Sequence, residues 1–144
     1  MHLQVEQALA PWLADLPGLD FEARRRTPHL ARDLQVLGTN ATDQAGPPVA
    51  LRGVGHALGW MYVLEGSTLG GRVIRRMVDA RGDGMTGLSF LDPYGDRVGE
   101  RWREFLAVVD RNARSAAEVD ELVDGARAGF RHAELQLCEE AAHV

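Results

Sequence analysis

The chain has 144 residues, 45% hydrophobic and 26% charged, with a net charge of −5; this suits one domain with its own core and argues against nucleic acid or an anionic membrane surface as the main partner. No stretch reaches the roughly 18 apolar residues that a membrane span needs, and the opening Met1-His2-Leu3-Gln4-Val5-Glu6 lacks the basic region and apolar core of a signal peptide. A lone cysteine, Cys138, leaves no internal disulfide, so a cytoplasmic protein is expected.

In chain order, residues 2–14 read as a helix with Leu3, Leu9, Trp12 and Leu13 as its buried stripe, ended by Pro17-Gly18. Asp20 is placed to cap a short helix over 21–26. Thr27-Pro28 then restarts the chain, because proline fits the first helical turn. Leu30, Leu34 and Leu37 mark that helix's inner face and Gly38 closes it. Residues 39–48 form a polar Pro/Gly-bearing loop, and a long helix is expected over about 51–81. Gly82, Asp83, Gly84, Gly87 and Pro93 mark the next loop. A helix over about 95–112 carries Val98, Trp102, Phe105, Leu106 and Val109 on one stripe. Ser115 and Glu118 form a capping box that opens the last helix, where Val119, Leu122, Val123, Ala126, Phe130, Ala133 and Leu137 keep the helical period. There is no run of alternating β-branched and polar residues, so the fold is read as an all-α helical bundle.

The informative segment is 58–74, where Gly66, Gly70 and Gly71 fall within six positions between strongly helical flanks. Each glycine costs a helix interior about 1 kcal/mol relative to alanine, so about 3 kcal/mol is spent from a typical stability of about 5–15 kcal/mol. Gly66 and Gly70, four apart, share a face, with Ser67 and Gly71 on the neighbouring strip. Two readings of this pattern stay open. Either a flat ligand touches the bare main chain, or a second helix packs closely through small residues. A phosphate-binding loop is not expected, because the pattern lacks Gly-Lys-Ser/Thr and no strand precedes the segment.

The run from Tyr62 through Glu65, Gly66, Ser67, Thr68, Leu69, Gly70 and Gly71 to Ile74 resembles the distal helix of bacterial biliverdin-producing heme oxygenases of the bacteriophytochrome-associated type. Pro17-Gly18-Leu19-Asp20, Arg32-Asp33-Leu34, Leu37-Gly38, Pro93-Tyr94-Gly95, Arg101-Trp102-Arg103-Glu104-Phe105 and residues 126–130 are similar too, so the resemblance spans nearly the whole chain. It implies a heme oxygenase-like multi-helical bundle. It further implies that heme, as substrate and cofactor, rests on Gly66 and Gly70 and is cleaved to biliverdin, carbon monoxide and iron with electrons from a separate donor. Ser67 stands where other branches of the family carry an aspartate, and is expected to hold a water. Gly71 and Tyr62 are candidate pocket residues, although an aromatic on a helical stripe is more often core. Arg101 and Arg103 open the helix that faces the heme propionates in that family, and a solvated face is the plainer reading.

The family's axial ligand is a histidine on a first, proximal helix. No histidine here matches that motif, and the segment with His2, Glu6 and Leu9 resembles the family's next helical region, so an N-terminally truncated member is expected. A non-catalytic relic or binding module is the alternative. His2, His29, His56, His132 and His143 are read as solvated or edge residues, with His2 the best placed substitute ligand. A missing wall would leave an apolar face for a second copy, so a homodimer is expected. Arg24-Arg25-Arg26 is read as a surface cluster, Arg72, Arg75 and Arg76 as surface charges, Glu65 as a brace of the distal helix, and Cys138 as a buried inert thiol. No residues have the spacing of a metal site.

Overall fold

The computed structural model describes residues 2–39, 47–82 and 88–142, and all regular structure among them is helical. The elements are α1 (His2–Leu13), α2 (Phe21–Arg24), α3 (Thr27–Val36), α4 (Val54–Ala80), a 3-10 turn (Gly95–Arg97), α5 (Val98–Arg111) and α6 (Ala116–Ala142). The loop readings for residues 40–46 and for Asp83, Gly84 and Gly87, and the reading of His143, fall outside the described residues.

Local chemistry explains the boundaries. Pro28 sits in the first turn of α3, where its missing N–H is no loss. Gly38, at φ 73°, takes the left-handed conformation that ends the helix. Ser115 Oγ accepts from the Glu118 N–H, the N-cap half of the capping box at α6, while the Glu118 carboxylate accepts from the Arg114 N–H, one residue earlier than the box's usual partner.

α4 is the central helix. Its Ala57, Leu58, Trp60 and Met61 meet Val5, Leu9 and Leu13 of α1, Leu19 before α2, Phe21 of α2, and Phe105 and Val108 of α5 in one buried cluster. The closest packing is between α4 and α6. A Cβ on Gly59 would overlap the Leu122 carbonyl oxygen and lie 2.5 Å from Ala126 N; one on Gly125 would overlap the His56 carbonyl oxygen. Gly129 lies against Trp60 and Val63. Rising residue numbers pair with rising numbers, so the two helices run in the same direction.

This contact keeps Leu122, Ala126 and Ala133 of the expected stripe facing inward and overturns the rest of the expected inner face of α6. Val119, Val123, Phe130 (57% exposed) and Leu137 (67%) face outward, because glycines that let the backbones touch set the interface instead of the apolar stripe. Two smaller differences have the same character. In α1, Leu3 and Trp12 are exposed while Val5 and Glu6 are buried with Leu9 and Leu13. In α3, Leu37 is exposed and Asp33 is buried. Asp33 accepts hydrogen bonds from Ser89 N, Ser89 Oγ and Phe90 N, which anchors the segment before α5. Burial raises its carboxyl pKa, but those hydrogen bonds outweigh it and the net shift is downward.

Candidate functional site

Glu65 lies in the middle of α4 and is 1% exposed. Its carboxylate accepts from Arg24 Nη1 at 2.7 Å and from the Tyr94 hydroxyl at 2.8 Å. Arg24, equally buried, also donates from Nε to the Leu19 carbonyl at 2.7 Å and from Nη2 to the Arg101 carbonyl at 3.1 Å. Burial pushes the Glu65 carboxyl upward, against the pull of Arg24 and Tyr94. The Tyr94 phenol is raised by burial and by the adjacent carboxylate. The group braces α4 against α2 and α5, the role read for Glu65 from sequence.

Next along α4 the main chain is bare. A Cβ on Gly66 would meet only the Trp102 indole, at 3.8 and 3.9 Å, which is ordinary contact. A Cβ on Gly70 would meet no atom of the described residues within 4 Å. Gly71 differs: a Cβ there would overlap the Leu91 carbonyl oxygen, so this glycine lets the 91–96 segment dock. Arg72 holds the same segment through ion pairs to Asp92 and Asp96, rather than standing free on the surface. Tyr62 is one-third exposed, and its ring tilts against Trp102 at 5.4 Å. Gly66 and Gly70 thus form an open shelf, edged on the α5 side by Trp102, with Tyr62 one turn before Gly66.

Ser67 is fixed at both ends. Its hydroxyl accepts from Arg26 Nη1 at 2.6 Å and donates to the Leu64 carbonyl at 2.6 Å. One lone pair remains, so it is set to accept a further hydrogen bond. Arg26 is 4% exposed, donates to the Phe90 carbonyl from Nε and Nη2, and stacks over the Phe90 ring at 4.1 Å. Burial lowers its pKa, against the pull of Glu65. Its backbone N–H and that of Thr27 are capped by Glu6 of α1. The expected surface cluster is therefore two buried arginines, Arg24 and Arg26, around a partly exposed Arg25. A short charge run gives no sign of this. The signal that was available is a carboxylate on a glycine-rich helix, which needs a cation if it is buried.

The remaining candidates are not gathered at the shelf. Arg101 pairs with Glu104 at 3.0 Å and lies over the Tyr94 ring, whereas Arg103 is exposed with its guanidinium near Gly99. His56 and His132 are buried rather than solvated. His2 is half-buried and packs on Phe90; burial and then Arg26 lower its pKa to about 4. Cys138 is exposed, which corrects the reading of a buried thiol. Among the described residues no group of three or more His, Cys, Asp or Glu side chains could hold a metal ion, and no helix is long and apolar enough to cross a membrane.

No family model matches the chain, and no solved structure does. A protein named heme oxygenase from Xanthomonas campestris pv. campestris (strain 8004) is 40% identical over 136 residues, which is 94% of this chain and 81% of that protein. With that identity over nearly its full length, and with an all-helical fold built around the Glu65–Gly71 helix, this chain belongs to the heme oxygenase family.

Proposed function

We propose that this protein binds heme as its substrate against Gly66 and Gly70 and cleaves it oxidatively to biliverdin, carbon monoxide and iron. The observation that carries the reading is the bare main chain at those two glycines: among the described residues, a Cβ on Gly70 would meet nothing within 4 Å and one on Gly66 would meet only the Trp102 indole. Bound heme, with dioxygen and an external electron donor, supplies the oxidative chemistry. The chain's own residues confine and orient. Tyr62 and Trp102 wall one edge of the shelf. Gly71 keeps the 91–96 segment close, and through it Tyr94 stays on Glu65. Ser67 holds a water by accepting its hydrogen, since its own proton goes to Leu64. Arg103, and Arg101 if it leaves Glu104, reach for the propionates. The exposed apolar residues Leu69, Val73, Ile74 and Met77 of α4 extend from the same shelf and form a face that a second copy covers. The cytoplasm, where reductants are at hand, is its proposed location.

A hemin titration of the whole chain tests the reading. A saturable Soret band, followed by biliverdin absorption once reductant and oxygen are added, is the expected result. Gly70→Leu should abolish saturation while leaving the circular dichroism of the fold intact. Unsaturable, scattering spectra would instead favour a non-catalytic relic or binding module. A clean monomer by size exclusion with light scattering at micromolar concentration would end the dimer proposal.

A further inference from the structure

Arg24, Arg25 and Arg26 are consecutive but have different partners. Arg24 and Arg25 pair with carboxylates, Glu65 at 2.7 Å and Glu6 at 3.4 Å. Arg26 is 4% exposed, and among the described residues its guanidinium bonds to neutral groups: the Phe90 and Leu64 carbonyls and the Ser67 hydroxyl. Glu65 and Glu6 attract it from further off. Glu65, however, is held by Arg24 and Tyr94, and Glu6 by Arg25 and by the backbone N–H groups of Arg26 and Thr27. A buried charge is ordinarily paired. This one instead directs Nη1 at the exposed member of its partners, Ser67, on the strip beside Gly66 and Gly70.

The Ser67 proton goes to the Leu64 carbonyl and one of its lone pairs to Arg26, so a water beside it must donate a hydrogen to the remaining lone pair. The second hydrogen of that water is left for an oxygen on the shelf. Nη1 is 2.6 Å from the hydroxyl, and one more hydrogen bond puts such a water roughly 5 Å from the cation. At that range a charge moves a neighbouring pKa by about 1–3. We propose, resting on the heme reading above, that Arg26 is a positioning residue of this site. Through Ser67 it fixes which way the water faces, and its charge stabilises negative charge that gathers on an oxygen held there. The guanidinium itself stays protonated and takes no part in bond making.

The charge is read first without hemin. In a Cys138→Ser background, which removes the exposed native thiol, Ser67→Cys places a thiol where the hydroxyl stands, and the pH dependence of its alkylation rate gives its pKa. His2 of α1 and His132 of α6 line a small chamber with Ser67. Burial lowers the pKa of both, so both are neutral where the thiol titrates. A cation favours the thiolate, so the thiol should titrate about 1–2 below the ordinary value of about 8.5. Arg26→Gln should return it to about 8.5, and Arg26→Lys should keep it low. A thiol at or above about 8.5 with Arg26 in place overturns the proposal, whether or not Arg26→Gln folds. With hemin, Arg26→Gln on the native Ser67 should leave the affinity unchanged and slow biliverdin formation about tenfold or more; an unchanged rate overturns the proposal. If the wild-type chain binds no hemin, the heme reading falls and this proposal with it, whereas an ordinary thiol pKa beside an intact Soret titration sinks this proposal alone.

Discussion

Gly59 and Gly70 lie on one helix three turns apart and point within roughly 20° of the same direction, yet they are glycines for opposite reasons. At Gly59 the backbone of α6 occupies the place where a side chain would be; at Gly70 no described residue does. The first half of α4 is packed main chain to main chain with α6, and the second half presents the same stripe to whatever comes next. Small residues at helical spacing therefore do not by themselves distinguish an interface from a shelf. The neighbouring element decides, turn by turn.

The boundary between the halves is Glu65, and breaking it has the largest expected effect. Glu65→Ala leaves Arg24 buried without its carboxylate and should cost about 3–5 kcal/mol in urea unfolding. A loss below about 1 kcal/mol would mean that Glu104, already 3.7 Å from Arg24, takes over the charge and that the halves are not joined through Glu65. Gly59→Ala comes next. The new methyl would overlap α6 backbone that no rotamer change can relieve, so a loss of about 2–3 kcal/mol is expected by thermal or urea unfolding.

The packed half also carries buried histidines, which predicts a pH dependence. His2, His56 and His132 have pKa values lowered by burial, His2 to about 4. The unfolded chain then binds more protons between about 6.5 and each folded pKa. The stability these groups contribute is complete above pH 6.5 and is lost as pH falls. Each such group adds a slope of at most about 1.4 kcal/mol per pH unit in its own window. Glu65, whose pKa burial raises, acts with the opposite sign above its unfolded pKa. The check is therefore the difference between wild type and His132→Gln, which should have the flatter profile. The smallest effect has the opposite direction: Gly70→Ala should raise stability by up to about 1 kcal/mol, since helix propensity improves and nothing is displaced. If it destabilises instead, the shelf is not open and the contrast with Gly59 fails.

The helices could be read from sequence because their punctuation is local. Pro28, Gly38 and the Ser115–Glu118 box act within a few residues, and each lies where the helix it governs begins or ends. Facing was harder to read. Phe130 and Leu137 satisfy the helical period but lose the interface to Gly125 and Gly129, because close backbone approach depends on the partner helix, which the period of one segment does not encode. The site divides in the same way. The unusual density of glycines made Gly66 and Gly70 visible. Arg24, Arg26 and Tyr94 escaped notice, because their meaning comes from Glu65, Ser67 and Phe90, roughly 30 to 60 residues away in sequence.

Arg24 sits on a helix of four residues, far too short to persist alone, yet it bonds to the Leu19 carbonyl, to Glu65 at mid-chain and to the Arg101 carbonyl in α5. One guanidinium thereby ties together segments that span more than half of the polypeptide. No early-folding fragment can satisfy it. A chain interrupted before α5 should stay loosely collapsed, and the complete one should melt in a single cooperative step.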